Sequence, residues 1–179
     1  GVCEDRGARM KAIPVSQTKT RLAQIMTPTD ANFLGKVFGG SILAMIDLTA
    51  SATAQKFCGH IAVTASFDRV DFHQPIEVGN LVSMEGYVSF VGRTSMEITI
   101  DVHATNLAKG ITTHSNTARV TMVALEDGRP VEVPRLLCES REDKINFLLA
   151  RVRRERRSIH QNEVNELLAE FESATDEEL

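Results

Sequence analysis

A single acidic residue interrupts an otherwise apolar, helix-like run. Asp47 is the only charged residue between Gly39 and Ala54. A carboxylate loses several kcal/mol on leaving water unless it is paired or hydrogen-bonded, so its presence there requires a reason. One explanation is structural, with the acid accepting bonds from a backbone or Ser/Thr donor. The other is catalytic, with the acid as general base or nucleophile, and the residues alone leave both open.

Two further features near Asp47 could bind a carbonyl group. Gly39 and Gly40 stand where the helix would begin, and a helix N-terminus exposes unpaired N–H groups that glycine lets a ligand approach. Asn32 lies in the loop before them and carries a side-chain amide. Each feature alone is typical of a tight turn. Together they predict that the Gly40 N–H and the Asn32 amide polarise a carbonyl oxygen while Asp47 activates water or attacks directly.

A site of this composition suits a thioester better than an amide. A thiolate leaves readily because its parent thiol has a pKa of about 8.5. No strong general acid is then needed, and the sequence offers none beside these residues. The alternative for the whole set is a helix wrapped by a sheet in a protein that only binds its ligand.

One long helix must position Asp47. It is predicted from about Gly40 to Phe57, with Gly59 as its C-cap. Before it come an extended segment over 16–26, a turn and an irregular loop over 31–38. Strand-like runs follow at 61–73, 81–91, 95–104 and 111–125, and turn-length connectors predict that the last three form an antiparallel meander. One helix followed by antiparallel strands predicts an α+β fold in which the sheet covers the helix.

The C-terminal part is predicted to be a helical extension. The motifs Ser140-x-x-Asp143 and Ser158-x-x-Gln161 each resemble a capping box and precede apolar residues at helical spacing. Two short amphipathic helices are therefore expected. Five arginines between positions 151 and 157 are expected to form a solvated helix face, balanced by the acidic residues 176–178. Contact with phosphate or nucleic acid is the alternative for this cluster.

Composition and segment boundaries set the class of protein. With 179 residues and 42% hydrophobic content, the chain can fill one core without disulfides or metal. A net charge of −4 gives no reason to expect nucleic acid or a membrane as partner. Three cysteines without CxxC spacing, and no apolar run of bilayer length, predict a cytoplasmic protein without a metal site.

We expect three segments along the chain. Residues 1–11 should be disordered or derive from the expression vector, with Met10 as the natural start. The main domain should span 12–137 and the helical extension 138–179.

Three blocks of sequence carry a family resemblance. They are Thr27 to Gly40 with Asp47 after it, the run Gly92-Arg93-Thr94-Ser95-Met96-Glu97-Ile98, and the strand 121–124 with its Pro-Val-x-Val-Pro tail. In these blocks the chain resembles the hotdog-fold acyl-CoA thioesterases of the cytosolic acyl-CoA hydrolase type, over about residues 16–137. The resemblance implies a hotdog fold and hydrolysis of acyl-CoA to free fatty acid and CoA.

The resemblance also implies how the site is assembled. Two protomers would share a sheet, so that Asn32 of one faces Asp47 of the other, and dimers would associate further as a trimer of dimers, a homohexamer. Phe38 and Gly39 would contact substrate. Arg93, Thr94 and Ser95 would lie near the CoA. No separate cofactor is implied, since coenzyme A is part of substrate and product.

One position departs from the family pattern. Many relatives have histidine directly before the two glycines, where this chain has Phe38. Hotdog dehydratases depend on a catalytic histidine in that loop, so a dehydratase is disfavoured. The remaining alternative is a non-catalytic hotdog module that binds acyl-CoA or a nucleotide, and the preferred acyl length is left open.

Overall fold

The described part of the chain contains three α-helices, one short 3-10 helix (Pro28–Asp30) and eight strands. The computed structural model describes residues 11–72 and 74–173. The helices are α1 (Val15–Thr18), α2 (Gly39–Cys58) and α3 (Arg141–Ser173). The strands are β1 (Ile13–Pro14), β2 (Thr20–Ile25), β3 (Ile61–Phe67), β4 (Leu81–Val91), β5 (Ser95–Asn106), β6 (Ile111–Glu126), β7 (Arg129–Pro130) and β8 (Leu136–Leu137). Within the described ranges, no helix is both long and apolar enough to cross a membrane.

The central helix α2 has one buried face. Side chains at intervals of three and four residues share one side of a helix. On α2 these are Ile42, Met45, Ile46, Thr49, Ala50, Thr53, Ala54 and Phe57, all of them buried. The helix ends where Gly59 adopts a left-handed φ of 70°, which confirms the predicted C-cap.

An antiparallel sheet wraps around α2. Its strand order is β2-β4-β5-β6-β3, with β7 paired to β6, and β4, β5 and β6 follow one another as the predicted meander. Alternate side chains of these strands point at α2 and form the core, including Val88, Ile98 and Val120. The approach is close at Gly86, where an added Cβ would lie 2.6 Å from the Thr53 hydroxyl. The expected α+β arrangement, a long helix covered by a sheet, is confirmed.

The N-terminal segment departs from the extended conformation predicted over 16–26. It begins with the short helix α1 and becomes a strand only at Thr20. The Thr18 hydroxyl accepts a hydrogen bond of 3.0 Å from the Val88 N–H, so the last residue of α1 is fixed to β4. The run predicted over 61–73 is also shorter, because β3 ends at Phe67; His73 lies outside the described residues.

The C-terminal extension is one helix of 33 residues, so the prediction of two short helices is wrong. Its start is as predicted, because Asp143 accepts from the Ser140 N–H at 2.9 Å and Ser140 accepts from the Asp143 N–H at 3.0 Å. The second motif starts no helix. The sequence from 141 to 173 contains no glycine or proline, and the helix runs through the motif without a break. Gln161 then makes a regular (i, i+4) hydrogen bond to Asn165.

Helix α3 packs on the face of the sheet that points away from α2. Phe147 packs against Phe90 with the rings tilted and their centroids 4.8 Å apart. Arg153 donates to both oxygens of Glu97, at 2.6 and 3.2 Å, and Glu97 is only 3% exposed. Arg157 donates to Asp68. Arg154 lies over the Phe90 ring and within 3.5 Å of the Ser95 hydroxyl. The expectation of a purely solvated arginine face is therefore corrected, since three of the five arginines attach α3 to the body of the protein.

Candidate active site

A short hairpin-like loop fixes Asn32. The backbone bridges of Ala31 with Val37 and of Lys36 with Glu77 close this loop before α2 begins. The Asn32 Oδ1 atom accepts from the N–H groups of Leu34 at 2.9 Å and Lys36 at 3.1 Å. Because both partners are donors, the side-chain atom toward them must be the oxygen.

The Asn32 amide nitrogen therefore remains as the donor that a ligand could use. Both readings of Asn32, the turn residue and the carbonyl donor, are compatible with this geometry. The side chain itself is half-buried.

The first turn of α2 presents unpaired N–H groups. Phe38 is the N-cap residue and supplies no side-chain hydrogen bond, so the N–H groups of Gly39 and Gly40 have no side-chain cap, whereas the Ser41 N–H donates to the Phe38 carbonyl at 3.0 Å. Gly40 serves a packing need that the sequence did not reveal. An added Cβ there would lie 2.2 Å from a Phe38 ring carbon, so the glycine makes room for this ring. Phe38 nevertheless remains 57% exposed, and a Cβ added at Gly39 would lie 3.7 Å from the Phe72 ring, which is an ordinary contact distance.

Asp47 lies on the side of α2 that the sheet does not cover. It is half-buried in the single chain, whereas the sequence predicted a helix buried around Asp47. The Thr64 hydroxyl donates a hydrogen bond of 2.5 Å to Asp47 Oδ1. The other carboxylate oxygen has no hydrogen-bond partner among the described residues. Thr64 thus orients the carboxylate and leaves one oxygen open.

Sequence reasoning missed Thr64. The pairing of β3 with β6 contains a bulge between Thr64 and Ser66. The bulge sends Thr64 toward α2 and Ser66 to the other face, where it lines a cleft with Glu97 and Arg157. The sequence carried one signal for it: α2 holds Asp47 without an obvious partner, and the next strand, β3, contains a hydroxyl residue.

The predicted catalytic residues are not brought together within one chain. Asp47 follows Gly40 by seven residues, which corresponds to about 10 Å along a helix. Asn32 lies in the loop before that helix, and its hydrogen bonds stay within the loop. A single carbonyl group held at Gly40 cannot also be within reach of the same chain's Asp47.

Apolar surface surrounds the open side of Asp47. Leu43 and Leu48, which flank Asp47 on α2, are exposed, as is Phe67 at the end of β3. A cleft of about 390 Å³ beside it is lined by Leu43, Phe67, Asp68, Val70 and Phe72. Contiguous exposed apolar surface of this kind marks an interaction or ligand site.

The hairpin between β4 and β5 holds the three residues predicted near CoA. The carbonyl oxygens of Arg93 and Thr94 accept from Val133 and Ala124 N–H groups, each at 3.0 Å, so the turn is tied to the segment around β7. The side chains divide between two clefts. Arg93 lines one of about 720 Å³ together with Arg135. Ser95 lines another of about 320 Å³, where the Arg154 guanidinium lies 3.5 Å from its hydroxyl.

Comparison with known proteins identifies the family. The model of the thioesterase superfamily matches residues 34–111. The uncharacterized acyl-CoA thioester hydrolase YkhA of Bacillus subtilis is 40% identical over 117 residues, 65% of this chain and 68% of YkhA.

Two solved structures are similar over most of the chain. One is an apo-hexameric acyl-CoA thioesterase, 38% identical with a TM-score of 0.81, for which 85% of this chain and 98% of that chain are covered. The other is the acyl-CoA hydrolase of Staphylococcus aureus in complex with butyryl coenzyme A, coenzyme A and coenzyme A disulfide. It is 30% identical with a TM-score of 0.80, covering 91% of this chain and 100% of that chain. The chain therefore belongs to the thioesterase superfamily, among its hotdog-fold acyl-CoA thioesterases.

Proposed function

We propose that the chain hydrolyses acyl-CoA to a free fatty acid and CoA. The observation that carries this proposal is the hydrogen bond from Thr64 to Asp47. It orients one oxygen of a half-buried carboxylate and leaves the other without a hydrogen-bond partner among the described residues. Leu43, one turn before Asp47, lines an apolar cleft in which an acyl chain could lie. The relatives named acyl-CoA hydrolases, one of them bound to butyryl coenzyme A, support this substrate class.

In the proposed mechanism the site forms between two protomers. The Gly40 N–H and the Asn32 amide of one protomer hold the thioester oxygen, and Asp47 of the partner subunit approaches the carbonyl carbon. Asp47 either takes a proton from the attacking water or attacks directly to form an anhydride that water then hydrolyses. In both cases the carbonyl oxygen becomes negative beside the two donors. The CoA thiolate leaves and takes up the proton, so no other acid is required.

Variants of the Staphylococcus aureus hydrolase support these residue roles. Structures exist in which an asparagine, an aspartate or a threonine of that enzyme is replaced by alanine. The three positions there are separated by 15 and 17 residues. The same intervals separate Asn32, Asp47 and Thr64 in this chain. We therefore include Thr64 as the residue that positions Asp47.

Assembly and CoA contacts are part of the same proposal. The exposed apolar surface of α2 and β3 would be covered by a second protomer, and the hexameric relative favours a trimer of dimers. Phe38 and Gly39 would border the thioester. Arg93, Thr94 and Ser95 would lie near the CoA, with the Arg93 guanidinium available for a phosphate. Coenzyme A enters only as part of substrate and product, so no further cofactor is proposed.

Replacing Asp47 by asparagine tests the proposal. The Asp47→Asn variant keeps the shape and the bond to Thr64 but removes the base, so turnover should fall by about 10²- to 10⁴-fold. Release of CoA thiol is measured over a panel of acyl-CoA chain lengths. Asp127→Asn, in the exposed turn before β7, is the matched control and should retain full activity.

Two results would contradict the proposal. One is near wild-type turnover of folded Asp47→Asn on every acyl-CoA tested. The other is that the unmodified chain binds acyl-CoA without releasing thiol, which would make it a binding module. Single-turnover hydrolysis in ¹⁸O-labelled water separates the two chemical routes, since only direct attack puts label into the Asp47 carboxylate.

A further inference from the structure

Helix α3 has two faces, and only one of them has a partner in the chain. The sheet-facing side chains are Phe147, Ala150, Arg153 and Arg157, at intervals of three and four residues. On the far side a second series has the same spacing but faces solvent. It consists of Ile145, Leu148, Leu149, Val152 and Ile159, which are between 41% and 56% exposed. Exposed aliphatic side chains in one stripe indicate a surface that another molecule covers.

The charge of α3 changes sign along its length. Residues 151–157 contain five arginines and one glutamate. Residues 158–172 contain Glu163, Glu166, Glu170 and Glu172 and no lysine or arginine. Arg156 and Glu163 both fall in line with the exposed stripe, and neither forms an ion pair within the described residues. One half of the helix is thus complementary in charge to the other half.

We propose that α3 pairs in antiparallel orientation with α3 of a second copy of this chain. The two-fold axis passes between Ile159 and His160. In this register Arg156 of each copy faces Glu163 of the other, Val152 faces Leu167, and Leu148 faces Phe171. Leu167 and Phe171 are themselves exposed in the single chain. A two-fold axis makes every contact occur twice, so charge and apolar surface match in both directions.

Other occupants fit this surface less well. A parallel pair of α3 helices would set Arg156 against Arg156 and Glu163 against Glu163, which like-charge repulsion disfavours. An anionic membrane would attract the arginine half but repel the glutamate half. A second copy in antiparallel orientation satisfies both halves at once.

Charge reversal at the paired positions tests the contact. Sedimentation velocity of the full chain over a range of concentrations measures the assembly. Arg156→Glu and Glu163→Arg should each weaken one association step by about tenfold. The double variant Arg156→Glu/Glu163→Arg should restore it, because the pair is remade with opposite polarity. Lys109→Glu, the same charge change in the turn between β5 and β6, is the matched control and should leave assembly unchanged.

A folding defect cannot explain restored association in the double variant, because the destabilising effects of two substitutions would add instead of cancelling. Circular dichroism checks that α3 is retained in each variant. The proposal is overturned if neither single variant changes the mass distribution. It is equally overturned if the double variant associates no better than the single ones, since α3 would then meet a different surface.

Discussion

The Asp47 carboxylate gains its orientation from a single neighbour. Thr64 holds Oδ1, and the other oxygen has no hydrogen-bond partner among the described residues. Phe38 occupies the position before the two glycines, so no histidine next to the helix start is available to orient water or substrate. In the proposed mechanism the geometry of water attack therefore depends on how rigidly Thr64 holds this carboxylate.

Removal of the Thr64 hydroxyl should lower turnover more than binding. Thr64→Val keeps the shape of the side chain, so the acyl-CoA KM should change little. Without the hydrogen bond the Asp47 carboxylate can rotate, and kcat should fall by about tenfold to a hundredfold. Steady-state kinetics measure both constants. Thr64→Ser should recover most of the activity, and Ser66→Ala, on the other side of the bulge, is the control.

A different pattern of constants would contradict this role for Thr64. If Thr64→Val raised KM and left kcat unchanged, the hydroxyl would contribute to substrate binding instead of to the orientation of Asp47.

The sequence alone predicted those site residues whose type is unusual at their position. Asp47 in an apolar run, Asn32 in a loop and Gly40 at a helix start are unusual without any knowledge of the fold. Thr64 could not be found in this way, since a bulge in β3 decides whether it points at α2 or away from it. The packing of the Phe38 ring on Gly40 likewise depends on tertiary geometry.

At the level of elements, the bounds of α2 and of the long strands β4, β5 and β6 were predicted better than what surrounds each of them in the fold. The bounds predicted for α2 and for β4 agree with the structure to within one residue. The small and apolar residues of α2 gave no sign that one of its faces would stay uncovered by its own sheet. The predicted break at Ser158 failed because a local capping motif does not interrupt a segment that has no helix breaker.

Tyr87 on β4 reports the packing of these elements through its ionisation. Burial, and then the negative charges of Asp101 and of Glu142 on α3, raise its pKa to about 12. The unfolded chain ionises this phenol near its ordinary pKa of about 10. The folded protein holds it neutral, so the contribution of Tyr87 to stability is complete below pH 10 and declines between about pH 10 and pH 12.

A spectroscopic titration measures this shift without interference. The chain has one tyrosine and no tryptophan, so the tyrosinate absorbance belongs to Tyr87 alone. The native midpoint should lie near 12 and the midpoint in urea near 10, roughly. Glu142→Gln should lower the native midpoint slightly. A native midpoint equal to that in urea would mean that β4 and the start of α3 do not bury this side chain.

At the scale of the whole molecule, the single chain holds separate parts of a site. Asn32 and the Gly40 N–H lie at the start of α2, while Asp47 lies about 10 Å further along it. The apolar surface around Asp47 is exposed in one chain and requires a cover. The proposed two-fold dimer would resolve both features, because it would bring the helix start of one protomer to the aspartate of the other and make two equal sites.

Mixed assemblies test whether the site is shared. Asn32→Ala and Asp47→Ala chains should each be inactive alone. In a dimer containing one of each, one site receives both substitutions and the other receives neither. Random mixing makes half of the dimers of this kind, so about a quarter of wild-type activity should return. The chains are co-expressed with different tags, and CoA release is measured on the mixture.

A second mixture provides the control. Wild-type chains mixed with the double variant Asn32→Ala/Asp47→Ala should retain about a quarter of wild-type activity, because in a mixed dimer both sites carry one substitution. If each site were formed within one chain, this mixture would retain about half, and the Asn32→Ala and Asp47→Ala mixture would recover nothing. Equal activity in the two mixtures is therefore expected only when Asn32 and Asp47 of one site come from different protomers. A site formed within one chain would instead raise the activity of the second mixture and abolish that of the first.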